Sequence, residues 1–344
     1  MNNNPFRLPV ADLESISNHI TDLREMFEGS EILLYGGTGF IGRWVTESLI
    51  HADLELNLGL KVTIVTRNIE STKLRFSNYI NNKVTLIEHN FATSPLQMRI
   101  HSDYVFHGST PTRNATGIIN EDEVLTASRN AALHAIQSKS LKFKNTKVIH
   151  LSSGIVYGNQ PMEMLARSED DSPIKEISVY GQAKFEVDQI LNSAYLDGKI
   201  DFQSPRLFAF AGPNLQLNAH FAVGNFLYYG LRGEPIIIKG NPKTIRSYMY
   251  PSDLVKSLLS VAVQNNYMNI NIGGAEPISM LQLAKLISGL TSNSEIILAN
   301  QTIEPSNYVP SIANLREIIP NLNFISLKDS ILKWIKWLQV QDSY

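Results

Sequence analysis

Tyr180 and Lys184 stand four residues apart in Tyr180-Gly181-Gln182-Ala183-Lys184. On a helix that spacing puts both side chains on one face. A lysine beside a phenol favours the phenolate and lowers its pKa from about 10. Such a tyrosine can give or take a proton at a carbonyl or carbinol carbon. Upstream, Leu151-Ser152-Ser153-Gly154-Ile155-Val156-Tyr157-Gly158 ends an apolar run with small hydroxyl residues. A serine there can hydrogen-bond the same oxygen. Taken alone, a tyrosine and lysine so spaced are an ordinary exposed pair on a helix.

A second group of residues changes that balance. Gly36, Gly39 and Gly42 follow the apolar run Ile32-Leu33-Leu34-Tyr35 directly, and a helical pattern occupies residues 40–50. In this context one glycine permits a tight turn, one lets backbone approach a pyrophosphate, and one lets helix and strand pack closely. The helix N-terminus adds N–H groups and partial positive charge for phosphates. Gly36, Thr38, Gly39, Phe40, Ile41 and Gly42 are therefore expected to contact a dinucleotide. The plainer reading is a tight structural turn that binds nothing. The second strand ends Val65-Thr66-Arg67-Asn68, without the acid that would bind the ribose 2′-hydroxyl of NAD. Arg67, with Arg43 just after the last glycine, points to NADP, with NAD as the alternative. Arg67 could equally be a solvated surface arginine.

Elements able to position these groups are visible in the hydrophobic pattern. Short β-branched runs recur at Val62-Thr63-Ile64-Val65, Val84-Thr85-Leu86-Ile87, Tyr104-Val105-Phe106 and Val148-Ile149-His150-Leu151. Separated by helical or loop stretches, they predict βαβ units and a parallel sheet. Before them, apolar residues at helical spacing over 13–27 predict a helical extension covering 1–30, with Asp12 as N-cap and Gly29 after its end. The second half is less regular: a strand over 202–210, prolines at 213, 235, 242 and 251, and helices over 281–290 and 327–338. Trp334 and Trp337, with Ile331, Leu332, Ile335 and Leu338, read as a packing stripe on the last of these.

Bulk properties bound the rest. The 344 residues suffice for a large domain or two joined ones, and 43% hydrophobic with 18% charged residues is a globular balance. A net charge of -2 gives no sign of nucleic-acid binding or a basic membrane surface. No run approaches the roughly 20 apolar residues of a membrane span. The polar first ten residues lack a signal's apolar core. With no cysteine, disulfides, thiolate catalysis and Cys-ligated zinc are excluded. A cytoplasmic protein is expected. His107 and His220 fall in motif segments without a second ligand at metal spacing, so no catalytic metal is expected.

Together the motifs resemble the extended short-chain dehydrogenase/reductases, in the branch that modifies nucleotide-linked sugars. The carriers are the glycine turn at 36–42, the Leu-Ser-Ser-Gly-Ile-Val-Tyr-Gly run at 151–158, and Tyr180 with Lys184. Pro205-Arg206-Leu207-Phe208-Ala209-Phe210-Ala211-Gly212-Pro213 and Ile245-Arg246-Ser247-Tyr248-Met249-Tyr250-Pro251-Ser252-Asp253-Leu254 extend the likeness. It implies an α/β fold: a Rossmann doubly wound parallel sheet over 31–205, interwoven with a smaller mixed α/β lobe over 206–344 that grips a nucleotide sugar. It implies that Tyr180 is the acid/base, that Lys184 tunes it and holds the nicotinamide ribose, and that Ser153 orients the reacting oxygen. Arg246 matches a position that contacts the substrate's diphosphate, a task suited to a guanidinium fork. Asn225 matches one that hydrogen-bonds the same region. A surface ion pair and a helix cap are the plain alternatives for these two. His107 opens the His107-Gly108-Ser109-Thr110 segment beside the nicotinamide, where an alanine-rich version is usual. A homodimer is also implied.

Departures from the pattern narrow the reaction. Sugar 4,6-dehydratases of this family carry an Asp-Glu pair after the Ser/Thr; here Gly154 and Ile155 stand there, and neither transfers protons. The usual dehydration is therefore not expected, unless Glu163 or Glu169 supplies the acid. Ala209 replaces an asparagine of the 4-epimerases. Ser153, Tyr180 and Lys184 suffice for reducing a 4-keto, 6-deoxy hexose nucleotide with NADPH, serving cell-surface polysaccharide synthesis. They also suffice for 4-epimerisation with retained NAD. A non-catalytic NADP(H) sensor is the reading of another class, against which the intact Tyr180 and Lys184 argue.

Overall fold

The computed structural model describes residues 8–76, 84–111, 120–171, 177–219, 221–299 and 303–341. His220 lies outside them. Helices α1 (Val10–Thr21) and α2 (Arg24–Phe27) precede β1 (Glu31–Tyr35), α3 (Phe40–Leu56), β2 (Lys61–Thr66), α4 (Ile69–Phe76) and β3 (Val84–Glu88). Then come β4 (Tyr104–His107), α5 (Glu121–Gln137), β5 (Lys147–His150), β6 (Ser152–Ser153), the short 3-10 turn Gly154–Tyr157, α6 (Val179–Leu196) and β7 (Asp201–Leu207). The remainder runs β8 (Ala209–Phe210), α7 (Ala222–Leu231), β9 (Ile236–Ile238), β10 (Ile245–Met249), α8 (Pro251–Ala262), β11 (Met268–Ile272) and β12 (Pro277–Ser279). It closes with α9 (Met280–Leu290), β13 (Ile296–Leu298), β14 (Asn307–Tyr308), α10 (Ala313–Ile318) and α11 (Leu327–Gln341).

The chain divides into two compact units built from interleaved segments: Met1–Gly158, Ile174–Leu207 and Val255–Ile270 in the first; Asn159–Pro173, Phe208–Leu254 and Asn271–Tyr344 in the second. Residues 8–30 are thus part of the first unit, as is the stretch 255–270.

The first unit carries the large sheet, in order β11-β7-β5-β4-β1-β2-β3, with β6 pairing β7. Neighbours from β3 through β7 run parallel, as the βαβ pattern predicts. The order reverses between β1 and β4, so the carboxyl ends of those strands form the switch point where such sheets take ligands. On one face Leu33, Val105, Val148 and Phe202 pack against Ala127, Ala131 and Ala135 of α5 and Val187, Leu191 and Ala194 of α6. The alanines let α5 and α6 lie close to the sheet, and each larger aliphatic buried there contributes about 2 kcal/mol. Asn120 caps α5 by accepting from the Glu123 N–H, with Glu121, Asp122 and Glu123 in the first turn favouring the helix dipole. Ser178 caps α6 by accepting from Gly181.

The N-terminal extension is not one helix. Pro9, not Asp12, flanks its start, and Asp12 is buried in the first turn. The helix stops at Thr21, whose hydroxyl bonds back to the Ser17 carbonyl, and restarts as α2. The break lets Phe27 turn inward to stack on Tyr104 at 4.9 Å. α1 docks on α3 through Ser17 and His51, 2.9 Å apart, and reaches Lys256 and Ser260 from Ser15 and His19. α3 itself runs past residue 50 to Leu56 and ends on Asn57 in the left-handed region, φ 49°.

The second unit is mixed. β10 pairs antiparallel with β12 and parallel with β14 and β8, and β9 pairs parallel with β13. A capping box of Ser279 and Gln282 starts α9. On α11, Ile331 and Trp334 are buried as the packing stripe requires, whereas Leu332 is exposed.

Candidate functional site

The glycine turn has the geometry its spacing predicts. Gly36 sits at φ +76°, and a Cβ there would run into the Gly108 carbonyl. A Cβ on Gly42 would meet the Gly36 carbonyl oxygen and come within 2.7 Å of Gly37 Cα. Gly39 is exposed and uncrowded. The first helical bond of α3 runs from the Arg43 N–H to the Gly39 carbonyl at 2.8 Å. The N–H groups of Phe40, Ile41 and Gly42 precede it, where a helix start presents donors to an anion. Backbone crowding at two glycines and an open third fit a dinucleotide pyrophosphate. Gly36, Thr38, Gly39, Phe40, Ile41 and Gly42 would hold it, and its nicotinamide would supply or take up a hydride.

The two arginines part company. Arg67 is exposed just past the carboxyl end of β2. Arg43 is buried: Nε donates to Glu47 Oε1 at 2.9 Å, Nη2 donates to the Arg75 carbonyl at 2.8 Å, and the guanidinium lies 5.4 Å over the Phe76 ring. That engagement gives Arg43 a bracing place in the fold. Arg75, which the sequence reading passed over, donates from Nη1 to the Thr38 carbonyl at 3.1 Å.

Strand β6 and helix α6, which contact each other, carry the candidate reacting groups. Tyr180 and Lys184 share a face of α6, with Nζ 5.5 Å from the Tyr180 ring centroid. Lys184 is buried, and its ammonium donates to the Leu151 carbonyl at 2.5 Å. Burial lowers its pKa to about 7, against the opposing pull of Asp188 one turn along. Ser153, at the end of β6, accepts from the Ile155 N–H at 3.3 Å. α6 packs on the turn that follows: a Cβ at Gly181 would lie 3.5 Å from Ile155 Cγ2. Ile155 thus turns an apolar side chain towards α6 at Gly181.

His107 is fully buried, its ring turned to His150 (Nδ1 to Nδ1, 3.1 Å) and to the Ser128 carbonyl (3.2 Å). Burial and the Lys184 charge hold its pKa at about 3, so the ring is neutral near neutral pH. His150 Nε2 faces the Lys184 carbonyl at 3.3 Å and Asp188 at 3.9 Å. Asp188 accepts from Ser152 at 2.9 Å and from Ser204. Sequence reading missed His150 and Asp188. The Lys184-to-Asp188 spacing was available as a signal; the register of β4 with β5, which pairs His107 with His150, was not.

In the second unit, Arg246 lies on β10 and is half-buried. Nη1 donates to the Ile245 and Ser306 carbonyls, and Tyr308 lies 5.7 Å under the guanidinium. Among the described residues it makes no ion pair with a carboxylate. Asn225, on α7, donates to the Ala219 carbonyl and, at 3.3 Å, to that of Phe221, tying down the approach to its own helix. Glu169 accepts from the Asn271 N–H at 2.8 Å, and Glu163 is exposed.

Residues 32–273 match the sequence model of the NAD dependent epimerase/dehydratase family. The chain belongs to that family and is an enzyme of the extended short-chain dehydrogenase/reductase type. Among its relatives is UDP-glucuronic acid decarboxylase 1 of Xenopus tropicalis, 25% identical over 97% of this chain and 79% of that protein. UDP-glucuronic acid decarboxylase 3 of Arabidopsis thaliana is 23% identical over 84% of this chain and 83% of its own length. Of solved structures, UDP-glucuronic acid 4-epimerase from Bacillus cereus in complex with NAD superposes with a TM-score of 0.70 at 20% identity, covering 90% of this chain and 99% of that one. An epimerase from Methanothermobacter thermautotrophicus gives a TM-score of 0.75 at 18% identity over 94% and 96%. Among the described residues no helix is long and apolar enough to cross a membrane.

Proposed function

We propose that the protein reduces a 4-keto, 6-deoxy hexose carried on a nucleotide, using NADPH. The observation that carries this reading is the pairing of Tyr180 and Lys184 on α6, with the apolar Ile155 side chain turned towards that helix at Gly181. Tyr180 gives its proton to the oxygen at C4 as that carbon becomes a carbinol, Ser153 hydrogen-bonds the same oxygen, and Lys184 stabilises the phenolate left behind. Arg67, with no acid beside it at the end of β2, supports NADP over NAD. The half-buried Arg246 offers its charge to the substrate diphosphate, and we assign Asn225 to the same region. We place the reaction in the cytoplasm, which suits a cysteine-free chain, in the supply of cell-surface polysaccharide precursors. A homodimer joined through α5 and α6 is supported by Leu133, exposed beside a shallow depression that Ile136, Ile190 and Ala194 also line.

The second reading is a cycle with retained NAD, ending in epimerisation at C4 or loss of a carboxylate. It is supported by decarboxylase relatives that align along nearly the whole chain. Tyr180 would then take the C4 hydroxyl proton first and return it later. Dehydration lacks its carboxylates at Gly154 and Ile155. One experiment separates the readings. The purified protein is denatured, any released dinucleotide is identified by mass, and fresh protein is given NADPH with 4-keto sugar nucleotides or UDP-glucuronic acid alone. NADPH consumption supports the reductase. Released NAD with product from UDP-glucuronic acid supports the cycle. Dinucleotide binding with no product from either, or full turnover by Tyr180→Phe, overturns both.

A further inference from the structure

The first helix is joined to the glycine turn by a continuous run of hydrogen bonds. The Leu8 N–H, where α1 is about to begin, donates to Glu47 Oε2 at 3.1 Å. Glu47 is wholly buried on α3, and its other oxygen accepts from Arg43 Nε at 2.9 Å. Arg43 Nη2 then donates to the Arg75 carbonyl at 2.8 Å, and Arg75 Nη1 donates to the Thr38 carbonyl at 3.1 Å. Each link has a charged partner, which makes such bonds shorter and stronger than neutral ones.

The last link falls on a sensitive point. The Thr38 carbonyl and the Gly39 N–H belong to one planar peptide unit. Arg75 holds its carbonyl side, and the Gly36 carbonyl holds its N–H side at 3.1 Å. That plane feeds directly into Phe40, Ile41 and Gly42, whose N–H groups would face a bound anion. A buried carboxylate–guanidinium pair is weak evidence for stability but fixes direction firmly. We propose that Glu47, Arg43 and Arg75 are positioning residues for the dinucleotide turn, and that the N-terminal helix supports the cofactor site through the Leu8 N–H. This rests on the reading that residues 36–42 hold a dinucleotide.

The test is titration of the full chain with NADPH and with NAD. Glu47→Gln removes the charge and one acceptor, Arg75→Met removes the last link from an exposed position that folding tolerates, and Arg43→Lys keeps the cation but loses the Nη2 donor. Each raises the dissociation constant about fivefold, within the range by which residues remote from a ligand tune its binding. Because they act in one run, the Glu47→Gln/Arg75→Met double variant falls well short of the roughly 25-fold product. Additive effects would mean that Arg75 acts by touching the dinucleotide, and would overturn the proposal. So would wild-type affinity in folded Arg75→Met and Arg43→Lys. Failure of the wild type to bind either dinucleotide overturns the cofactor reading instead.

Discussion

Replacing Lys184 by methionine should destroy turnover and, at neutral pH and below, make the protein more stable. The side chains are similar in length, so packing is largely kept. In the fold the lysine pKa is about 7, against an ordinary 10.5. Between those values the unfolded chain binds the proton and the native chain does not. Stability therefore rises with pH from about 7 to about 10.5, and the penalty is complete below 7. A gap of that size corresponds to about 5 kcal/mol at most. Loss of the cation also leaves Asp188 with only Ser152, Ser204 and the more distant Arg206 to balance its charge. A net gain of about 2 kcal/mol at pH 6.5 is the working expectation. Urea melts of both proteins at pH 6.5, 8 and 9.5 measure it, because their difference cancels every group other than this cluster. The difference should shrink steadily as pH rises. A difference that does not change with pH, or a variant less stable than wild type at pH 6.5, would refute the reasoning.

Gly42→Ala forces a methyl onto the Gly36 carbonyl oxygen, so dinucleotide binding by calorimetry should fall at least about tenfold as the turn is pushed open. Arg246→Met should weaken nucleotide-sugar binding by about 2 kcal/mol, read by titration, while leaving dinucleotide affinity unchanged. Acid should destabilise the protein early: burial lowers the His107 pKa to about 3 and that of His150 well below its ordinary 6.5. The unfolded chain takes up these protons first, so stability is lost as pH falls from 6.5 towards 3; urea melts of His150→Phe should show a shallower loss over that range.

The supporting fold was legible because it depends on local pattern. β-branched runs between helical stretches marked β1 to β5 to within a residue or two, and the glycine spacing marked the β1–α3 turn. Tyr180 and Lys184 were legible for the same reason, since one turn of helix sets their relation. Arg43 reads in the sequence as a second cation near the turn, and the structure adds its pairing with the i,i+4 carboxylate of Glu47. Arg75 reaches Thr38 across 37 positions, and His107 meets His150 across 43. Neither distance leaves a trace in periodicity, because strand order and helix docking set both.

The network behind Lys184 departs from what stability alone would select. His107 Nε2 faces the Ser128 carbonyl and must carry a proton, so its Nδ1 accepts. His150 then donates from Nδ1, and its Nε2 is left with a lone pair turned towards the Lys184 carbonyl and Asp188, both acceptors. Satisfying every contact takes three protons on four ring nitrogens, a buried positive charge next to the Lys184 ammonium. Burial and Lys184 oppose that charge, so the neutral pair persists with one unfavourable contact. A leucine at 150 would remove the conflict and fill the same space between sheet and helices. Local frustration of this kind gathers at functional sites, where surrounding packing offsets it. Here it surrounds both ends of one residue: the Lys184 carbonyl lies against His150, and its ammonium is held by Leu151, the residue just after β5. That placement fits a lysine whose position and charge matter more to the protein than the stability of the layer it lies in.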